Sequence, residues 1–321
     1  MATRLRLATR GSPLARWQAA RVAAMLGALP DEPDCEIVVI STRGDRLTDV
    51  PVEQIGGQGA FVTDVQTAVL EGRAEIAVHS AKDLPSTTPE GLLLACVPER
   101  ADPRDALVGS RLADLPAGAT VATGSVRRRA QLAWLRPDLT FPELRGNMAT
   151  RLDRAAEAGA GVVALAALER LGLTDRIAEI LGTGTILPQV AQGALAVECR
   201  SGDFPVRELL GAIDDRPAHR AVSAERAFLE ALGSGCSLPV GALATPSGFA
   251  GSGFAGNGDG GIEEGGLVLE GLLASRDGRV LLRRQACGSD PVELGRRLAE
   301  DLLDHGGRSL DDWAGLAETG R

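Results

Sequence analysis

The residues best suited to chemistry are arginines set beside small or hydroxyl side chains where a strand pattern gives way to a helical one. Four segments share this design: "ATRGSP" with Thr9, Arg10 and Ser12; "STRGD" with Arg43; "ATGSVRRR" with Thr123, Ser125, Arg127 and Arg128; and "RGNMATRL" with Arg145, Thr150 and Arg151. An arginine run is ordinarily a solvated helix face. Here the placement argues otherwise, because a cation in a first helical turn opposes the macrodipole and costs about 0.3–1 kcal/mol. A bound anion reverses that sign. Helix N-termini offer backbone N–H groups and arginine offers a planar fork matched to carboxylates, so several such sites facing one cleft suit a ligand with several carboxylates. Phosphate would fit each site singly, but the chain carries neither a glycine-rich phosphate loop with its lysine nor a dinucleotide fingerprint.

A second constellation, "AVHSAKDLPS", puts Lys82 and Asp83 just past a run that reads as a buried strand, at the end where open α/β sheets gather their ligands. Taken alone, a Lys-Asp pair is a common surface feature. Among so many arginines, however, a carboxylate aimed into a cleft would repel an anionic substrate unless the reaction creates positive charge near it, which predicts a cationic intermediate. The third feature is Cys236 in "GSGCSLPVG", flanked by small residues that leave its sulfur approachable. It is either a buried turn residue or a carrier of chemistry. Cys35, Cys96, Cys199 and Cys287 sit in apolar surroundings and read as small core hydrophobes. His79, His219 and His305 are scattered and form no metal constellation, so core or surface roles are expected for them and no metal.

Composition bounds the setting of these groups. A chain of 321 residues with 44% hydrophobic and 24% charged residues reads as a globular protein of about two domains. The net charge of −9 argues against nonspecific nucleic-acid binding, which needs a broad basic field. Any anion must be gripped locally. The start "MATRLRLATR" has no apolar signal core and no run approaches ~18 apolar residues, so neither secretion nor a membrane span is expected. Five cysteines without zinc-type spacing fit a reducing compartment. The cytoplasm is the expected location.

The elements that must position the reactive groups alternate between strand and helix. "LRLAT" leads into a helix capped by Ser12 with Pro13 in its first turn, whose Leu14, Trp17, Val22, Met25 and Leu29 fall on one face. "EIVVIST", a helix from Phe61 to Val69, "AEIAVHS" and "LLLACV" follow, a βαβ grammar that predicts a mostly parallel sheet. After "ERADPRD" the pattern restarts with "ALVGS", "TVAT", a helix from Ser125, "LTFPEL", a helix from about Met148, and "GVVALAA". "QGALAVEC" and the helical "PVRELLGAI" read as a return to the first unit, giving two crossings and a hinge. From Pro217 a helix, the Cys236 turn, "LPVGALAT", "LVLEGLLAS", an Asp277-Gly278 hairpin, "RVLLRRQAC" and a helix capped by Asp290-Pro291 predict a small α+β domain. The expected boundaries are 1–98 with 194–214, 99–193, and 215–321. Residues 247–266, glycine-rich and without periodicity, read as a flexible surface loop and a passive insertion, with a functional lid as the alternative.

Taken in order, "LATRGSPLARWQA", "TRGD", "GGQGAFV", "VHSAKDLP", "ERADPRDA", "LRGNMATRL", "ALAALERLG", "LPQVAQGALAVECR" and "AERAFLEALGSGCSLPVGA" closely resemble the porphobilinogen deaminase family, also called hydroxymethylbilane synthases. The resemblance runs from about Leu5 to Gly241 and more loosely to the C-terminus. It implies two α/β domains like those of periplasmic binding proteins and a small C-terminal α+β domain with a three-stranded antiparallel sheet. It also implies a dipyrromethane cofactor joined by a thioether to the cysteine matching Cys236, and head-to-tail addition of four porphobilinogen units with release of ammonia and a linear hydroxymethylbilane. A monomer is expected.

On this resemblance the residue pattern acquires a reason. Each pyrrole bears an acetate and a propionate, so a growing chain multiplies carboxylates and calls for repeated arginine sites. Loss of ammonia leaves an azafulvene-type cation, and Asp83, matching the family's catalytic aspartate, would hydrogen-bond its pyrrole N–H, with Lys82 keeping Asp83 ionised. At about 4 Å and an effective dielectric of ~20 such a pairing is worth ~4 kcal/mol, roughly a thousandfold in rate. Residue by residue, the resemblance assigns Arg10, Ser12, Arg43, Thr123, Ser125, Arg127, Arg128, Arg145, Thr150, Arg151 and Arg170 to the acidic side chains of cofactor and substrate. Arg170 is supported by the resemblance alone, since "LERLG" reads as an exposed helix end. The chain departs from the family in having Gln54 and Gln58 where many relatives carry lysine, and in its long glycine-rich insertion. The rival reading is a two-lobed receptor for a small polycarboxylate, which leaves Asp83 and Cys236 unexplained; an enzyme acting on phosphorylated substrates lacks a phosphate loop or metal cluster.

Overall fold

The structure, a computed structural model, describes residues 4–30, 33–42, 44, 61–233, 238–247 and 265–310. Arg43, Gln54, Gln58 and Cys236 lie outside the described residues, as does most of the glycine-rich stretch 247–266. Two compact units emerge: Met1–Ala101 with Gly193–His219, and Asp102–Gln192 with Arg220–Arg321.

The first unit is built from β1 (Arg4–Arg10), α1 (Pro13–Gly27), β2 (Asp34–Ile40), α2 (Thr63–Leu70), β3 (Ile76–Ser80) and β4 (Leu92–Cys96), joined by β8 (Leu195–Arg200) and α6 (Phe204–Gly211) after the chain returns. Its five-stranded sheet has the order β2-β1-β3-β8-β4. Strand β1 runs parallel to both β2 and β3, with Arg10 opposite Ile40 and Leu7 opposite Ile76. The carboxyl ends of three strands therefore share one edge. Strand β8 is antiparallel to β3 and β4, so the sheet is mixed rather than mostly parallel. Leu5, Leu7, Val22, Leu26, Ile76, Val197 and Leu210 form its main core, each buried side chain of this size contributing roughly 1.5–3 kcal/mol.

The face of α1 differs from its apolar periodicity. Gln18, Ala19, Val22 and Leu26 are buried, whereas Trp17 is 40% exposed. The reason is a polar contact: Gln18 Nε2 donates to Ser80 Oγ at 2.7 Å, drawing that face of the helix onto the end of β3.

In the second unit β5 (Asp105–Val108) is flanked by β6 (Gly161–Ala164) and β7 (Ile177–Leu181), both antiparallel to it. The parallel pairing expected here is confined to isolated bridges, Thr120 with Thr140 and Ala122 with Gly161, so "TVAT" and "LTFPEL" are extended segments without a full ladder. "GVVALAA" splits, with α5 (Leu165–Arg170) beginning directly after β6. The helices α3 (Val126–Leu135) and α4 (Met148–Ala158) begin within the arginine motifs, Arg127 and Arg128 falling in the first turn of α3, Thr150 and Arg151 in that of α4, and Arg145 in the loop before it. Farther along come α7 (Arg216–Ala231), β9 (Val240–Pro246), β10 (Leu267–Ala274), β11 (Leu281–Gly288) and α8 (Pro291–Asp304). These last strands form a three-stranded antiparallel sheet, order β11-β10-β9. Its β10–β11 turn uses Gly278 at φ 72°, the conformation for which an Asp-Gly pair is suited.

Cys96 and Cys199 are buried as expected of core hydrophobes, but Cys35 is half-buried and Cys287 is exposed. Cys287 falls near the end of edge strand β11, where alternation turns it away from the packed face. Among the described residues no helix is long and apolar enough to cross a membrane.

Candidate active site

In the first unit the strand-end edge gathers two of the sequence motifs. Strand β1 ends at Arg10, and Ser12 caps α1 by accepting from Ala15 N at 3.2 Å. Buried Thr9 Oγ1 donates to Val78 O at 3.2 Å, which ties β1 to β3 just before their ends. The Arg10 guanidinium lies 4.2 Å from the centroid of the Phe61 ring, a cation–π stack that orients its fork. Strand β3 then turns at Ser80 into a short 3-10 turn, Ala81–Asp83, closed by Leu84 N donating to Ala81 O at 3.2 Å. Ala81 N also donates to Ala194 O at 3.0 Å. Buried Ala81 and Leu84 flank the half-buried Lys82 and Asp83, so the turn anchors itself through its apolar residues and leaves the charged ones at the surface of the edge.

In the second unit two loops stand against each other. A Cβ placed on Gly124 would meet Leu144 O at 2.8 Å, an approach that only glycine permits between the loop before α3 and the loop before α4. Thr123 is buried, and its Oγ1 accepts from Ser125 N at 3.2 Å; Ser125 in turn caps α3, its Oγ accepting from Arg128 N at 3.4 Å. Asn147 caps α4, and Thr150 donates to its Oδ1 from both N and Oγ1, at 3.1 and 3.3 Å. Arg151 Nε donates to Gly146 O at 2.9 Å. Arg145 Nε donates to Glu143 Oε1 at 3.0 Å, an exposed pair. Arg170 closes α5 half-buried, and burial pushes its pKa down to about 10.

Arg127 and Arg128 behave differently from the other arginines. They are 3% and 6% exposed, and both salt-bridge Asp105, at 2.8 and 2.7 Å. Burial alone would raise the Asp105 carboxyl, but the two guanidiniums, with hydrogen bonds from Arg128 and Gln192, hold it well below the usual carboxylate range. Neither Asp105 nor Gln192 is a candidate on sequence grounds. Asp105 sits inside "ERADPRDA", but its partners lie 22, 23 and 87 positions away, and nothing local signals the pairing.

The electrostatics suit a polycarboxylate. The first turns of α1, α3 and α4 contain no acidic residue, whereas α2 and α8 place Asp64 and Glu293 in theirs. The helices that carry the arginine motifs therefore have positive ends uncompensated by an acid within the turn, a feature they share with α5, α6 and α7. Among Arg127, Arg128 and Asp105 two cations face one anion. A dipyrromethane, with its acetate and propionate groups, matches this donor set.

Fold and site residues together define an α/β protein with arginine-bearing helix starts in both units and a strand-end aspartate in the first. Residues 5–208 match the family model for the porphobilinogen deaminase dipyrromethane cofactor binding domain, and residues 219–304 match that for the porphobilinogen deaminase C-terminal domain. The porphobilinogen deaminase of Roseiflexus castenholzii (strain DSM 13941 / HLO8) is 45% identical over 316 residues, 97% of this chain and 99% of that protein. That of Syntrophus aciditrophicus (strain SB) is 42% identical over 313 residues, 95% and 97%. Similar solved structures include the Bordetella pertussis BvgS VFT2 domain, 17% identical with a TM-score of 0.39 over 70% of this chain and 92% of that one. The methionine binding protein MetQ is 12% identical with a TM-score of 0.41, over 70% and 94%. The chain belongs to the porphobilinogen deaminase family.

Proposed function

We propose that the chain joins four porphobilinogen units head to tail on a dipyrromethane primer bound by a thioether to Cys236, releasing ammonia at each addition and finally hydroxymethylbilane. It is a transferase of porphyrin biosynthesis. The observation that carries the detailed reading is the set of acid-free, arginine-bearing helix starts at α1, α3 and α4, which suits a ligand whose carboxylates multiply as it grows.

When bound, the dipyrromethane supplies the pyrrole carbon on which the chain is extended. Asp83 accepts a hydrogen bond from the pyrrole N–H of the incoming unit as ammonia leaves and positive charge develops, a preorganised contact that is stronger in the transition state than before it. Lys82, its chain neighbour, places a cation beside Asp83 in the same turn. Arg10, Ser12 and Arg43 bind acidic side chains from the first unit. Thr123, Ser125, Arg127, Arg128, Arg145, Thr150, Arg151 and Arg170 do so from the second. Cys236 serves as an anchor that reacts once, during assembly of the primer.

We further propose three domains, 1–98 with 194–214, 99–193, and 215–321, the last containing the glycine-rich stretch 247–266. The protein works as a monomer in the cytoplasm. Incubating the purified protein with porphobilinogen and quantifying ammonia and linear bilane together tests the reading. Four ammonia molecules per bilane are expected; stoichiometric binding without ammonia would instead identify a polycarboxylate receptor.

A further inference from the structure

Asp105 begins β5 with none of its surface exposed, yet four donors reach its carboxylate. Oδ2 accepts from Arg127 Nη2 at 2.8 Å. Oδ1 accepts from Arg128 Nη2 and Nε at 2.7 and 3.1 Å and from Gln192 Nε2 at 2.8 Å. Because each oxygen serves a different arginine, the carboxylate sets the orientation of one fork relative to the other. Backbone carbonyls fix the outer ends: Arg127 Nη1 donates to Leu187 O at 2.6 Å and Arg128 Nη1 to Val162 O at 3.1 Å. Gln131 in turn holds Leu187, accepting from its N–H at 2.7 Å and donating to its carbonyl at 3.1 Å. Without Asp105 two adjacent buried guanidiniums would repel each other; with it these three side chains carry one net positive charge.

Gln192 reaches this carboxylate from an unusual backbone. Its neighbour Ala191 has φ 59°, the one non-glycine residue in the left-handed region among the described residues. An L-residue avoids that region, and such strain persists where surrounding contacts over-determine it. Here Ala191 N donates to buried Glu225 Oε2 at 2.6 Å, and the next side chain is delivered to Pro103 O at 2.7 Å and to Asp105.

We propose that Asp105 is a positioning residue of the carboxylate-binding site, acting through Arg127 and Arg128: it locks their forks in one arrangement with a single net charge, and Gln192 orients Asp105. The inference rests on the reading of the chain as an enzyme that grows a bilane on a covalent dipyrromethane. A core ion cluster with no part in binding is the competing account.

The test compares wild type with Cys236→Ala, Asp105→Asn, Gln192→Leu, Arg128→Leu and the Asp105→Asn/Arg128→Leu double variant, all expressed in one host and purified as folded, non-aggregated protein. Two quantities are read: the fraction of chains carrying the dipyrrole by denatured intact mass, and KM against kcat for porphobilinogen on loaded protein. Asp105→Asn should lower the loaded fraction tenfold or more. Gln192→Leu should raise KM several-fold with kcat within about twofold, because the forks grip carboxylates equally before and during reaction. The double variant should load no worse than Arg128→Leu alone, since Asp105 acts through the arginines. Wild-type loading and KM in folded Asp105→Asn and Gln192→Leu, or losses that multiply in the double variant, would overturn the proposal. If Asp105→Asn does not fold, the KM and kcat split in Gln192→Leu decides. A wild type without the dipyrrole mass would sink the underlying reading and this proposal with it, whereas a loaded wild type beside a normally loaded Asp105→Asn sinks the proposal alone.

Discussion

The strand-end turn of the first unit and the arginine cluster of the second handle charge in opposite ways. Asp83 is half-buried in a turn held by backbone hydrogen bonds and by the apolar flanks Ala81 and Leu84. Arg127 and Arg128 are almost wholly buried and ion-paired to a carboxylate. Burying ions costs several kcal/mol each unless partners satisfy them, so the cluster is stable only as a complete set. The contrast suggests a division of labour: a group that meets charge arising only during reaction stays accessible, and groups that meet permanent charge are fixed in advance.

The largest expected effect is at the accessible end. Asp83→Asn should keep the fold and any installed primer but lose turnover by roughly a thousandfold, the worth of one charge contact in the transition state. Ammonia release by purified, primer-loaded protein measures it, and Asp83→Glu should be less damaging. Near-normal release from Asp83→Asn would erase the contrast.

Stability should separate the regions in the other direction. Arg128→Leu leaves Asp105 buried with a lost partner and should destabilise the protein by about 3–5 kcal/mol in urea unfolding. Arg145→Lys, at an exposed pair with Glu143, should change stability by less than about 1 kcal/mol while weakening carboxylate binding, because lysine lacks the planar fork. Equal stability losses in the two variants would mean that burial does not distinguish the arginines.

Much of the scaffold is legible in the sequence. Caps did most of this: Ser12 with Pro13, Ser125, and Asp290 with Pro291 all start helices where their side chains accept from the first turn. Alternation and β-branching located β1, β3, β8 and the three C-terminal strands. Pairing direction in the second unit was not legible, because short runs such as "ALVGS" look alike in parallel and antiparallel ladders. Strand β7 escaped because "IAEIL" is brief and follows a helix pattern closely. The face of α1 does not follow from apolar periodicity because Gln18, a polar residue, is turned inward with Ala19, Val22 and Leu26. For the candidate site, residue types and their places at element ends were readable; the Asp105 cluster was not, since it depends on side chains brought together from distant positions.

Cysteine reactivity sharpens the picture further. Burial pushes the Cys199 thiol up to about 11 and raises Cys96 further, so both should resist alkylation in the native protein at pH 8, while exposed Cys287 should react within minutes. Peptide mapping after brief alkylation reads this, and rapid labelling of Cys199 would contradict the packed core. The smallest effect is expected outside both regions: replacing residues 248–261 with a short Gly-Ser link should leave turnover within a few-fold, since that composition offers little to bind carboxylates. A large fall with unchanged stability would make the segment a lid.

The central claim is that growth occurs on a primer anchored at Cys236, and the denatured intact mass of the purified protein tests it most directly. The account predicts a mass above that of the bare chain by one dipyrrole, retained in denaturant with excess reductant because a thioether does not exchange as a disulfide does. The added mass should map to the peptide containing "GSGCSLPVG" and vanish in Cys236→Ala. A bare chain that still turns over porphobilinogen, or an adduct on Cys35, Cys96, Cys199 or Cys287, would contradict it.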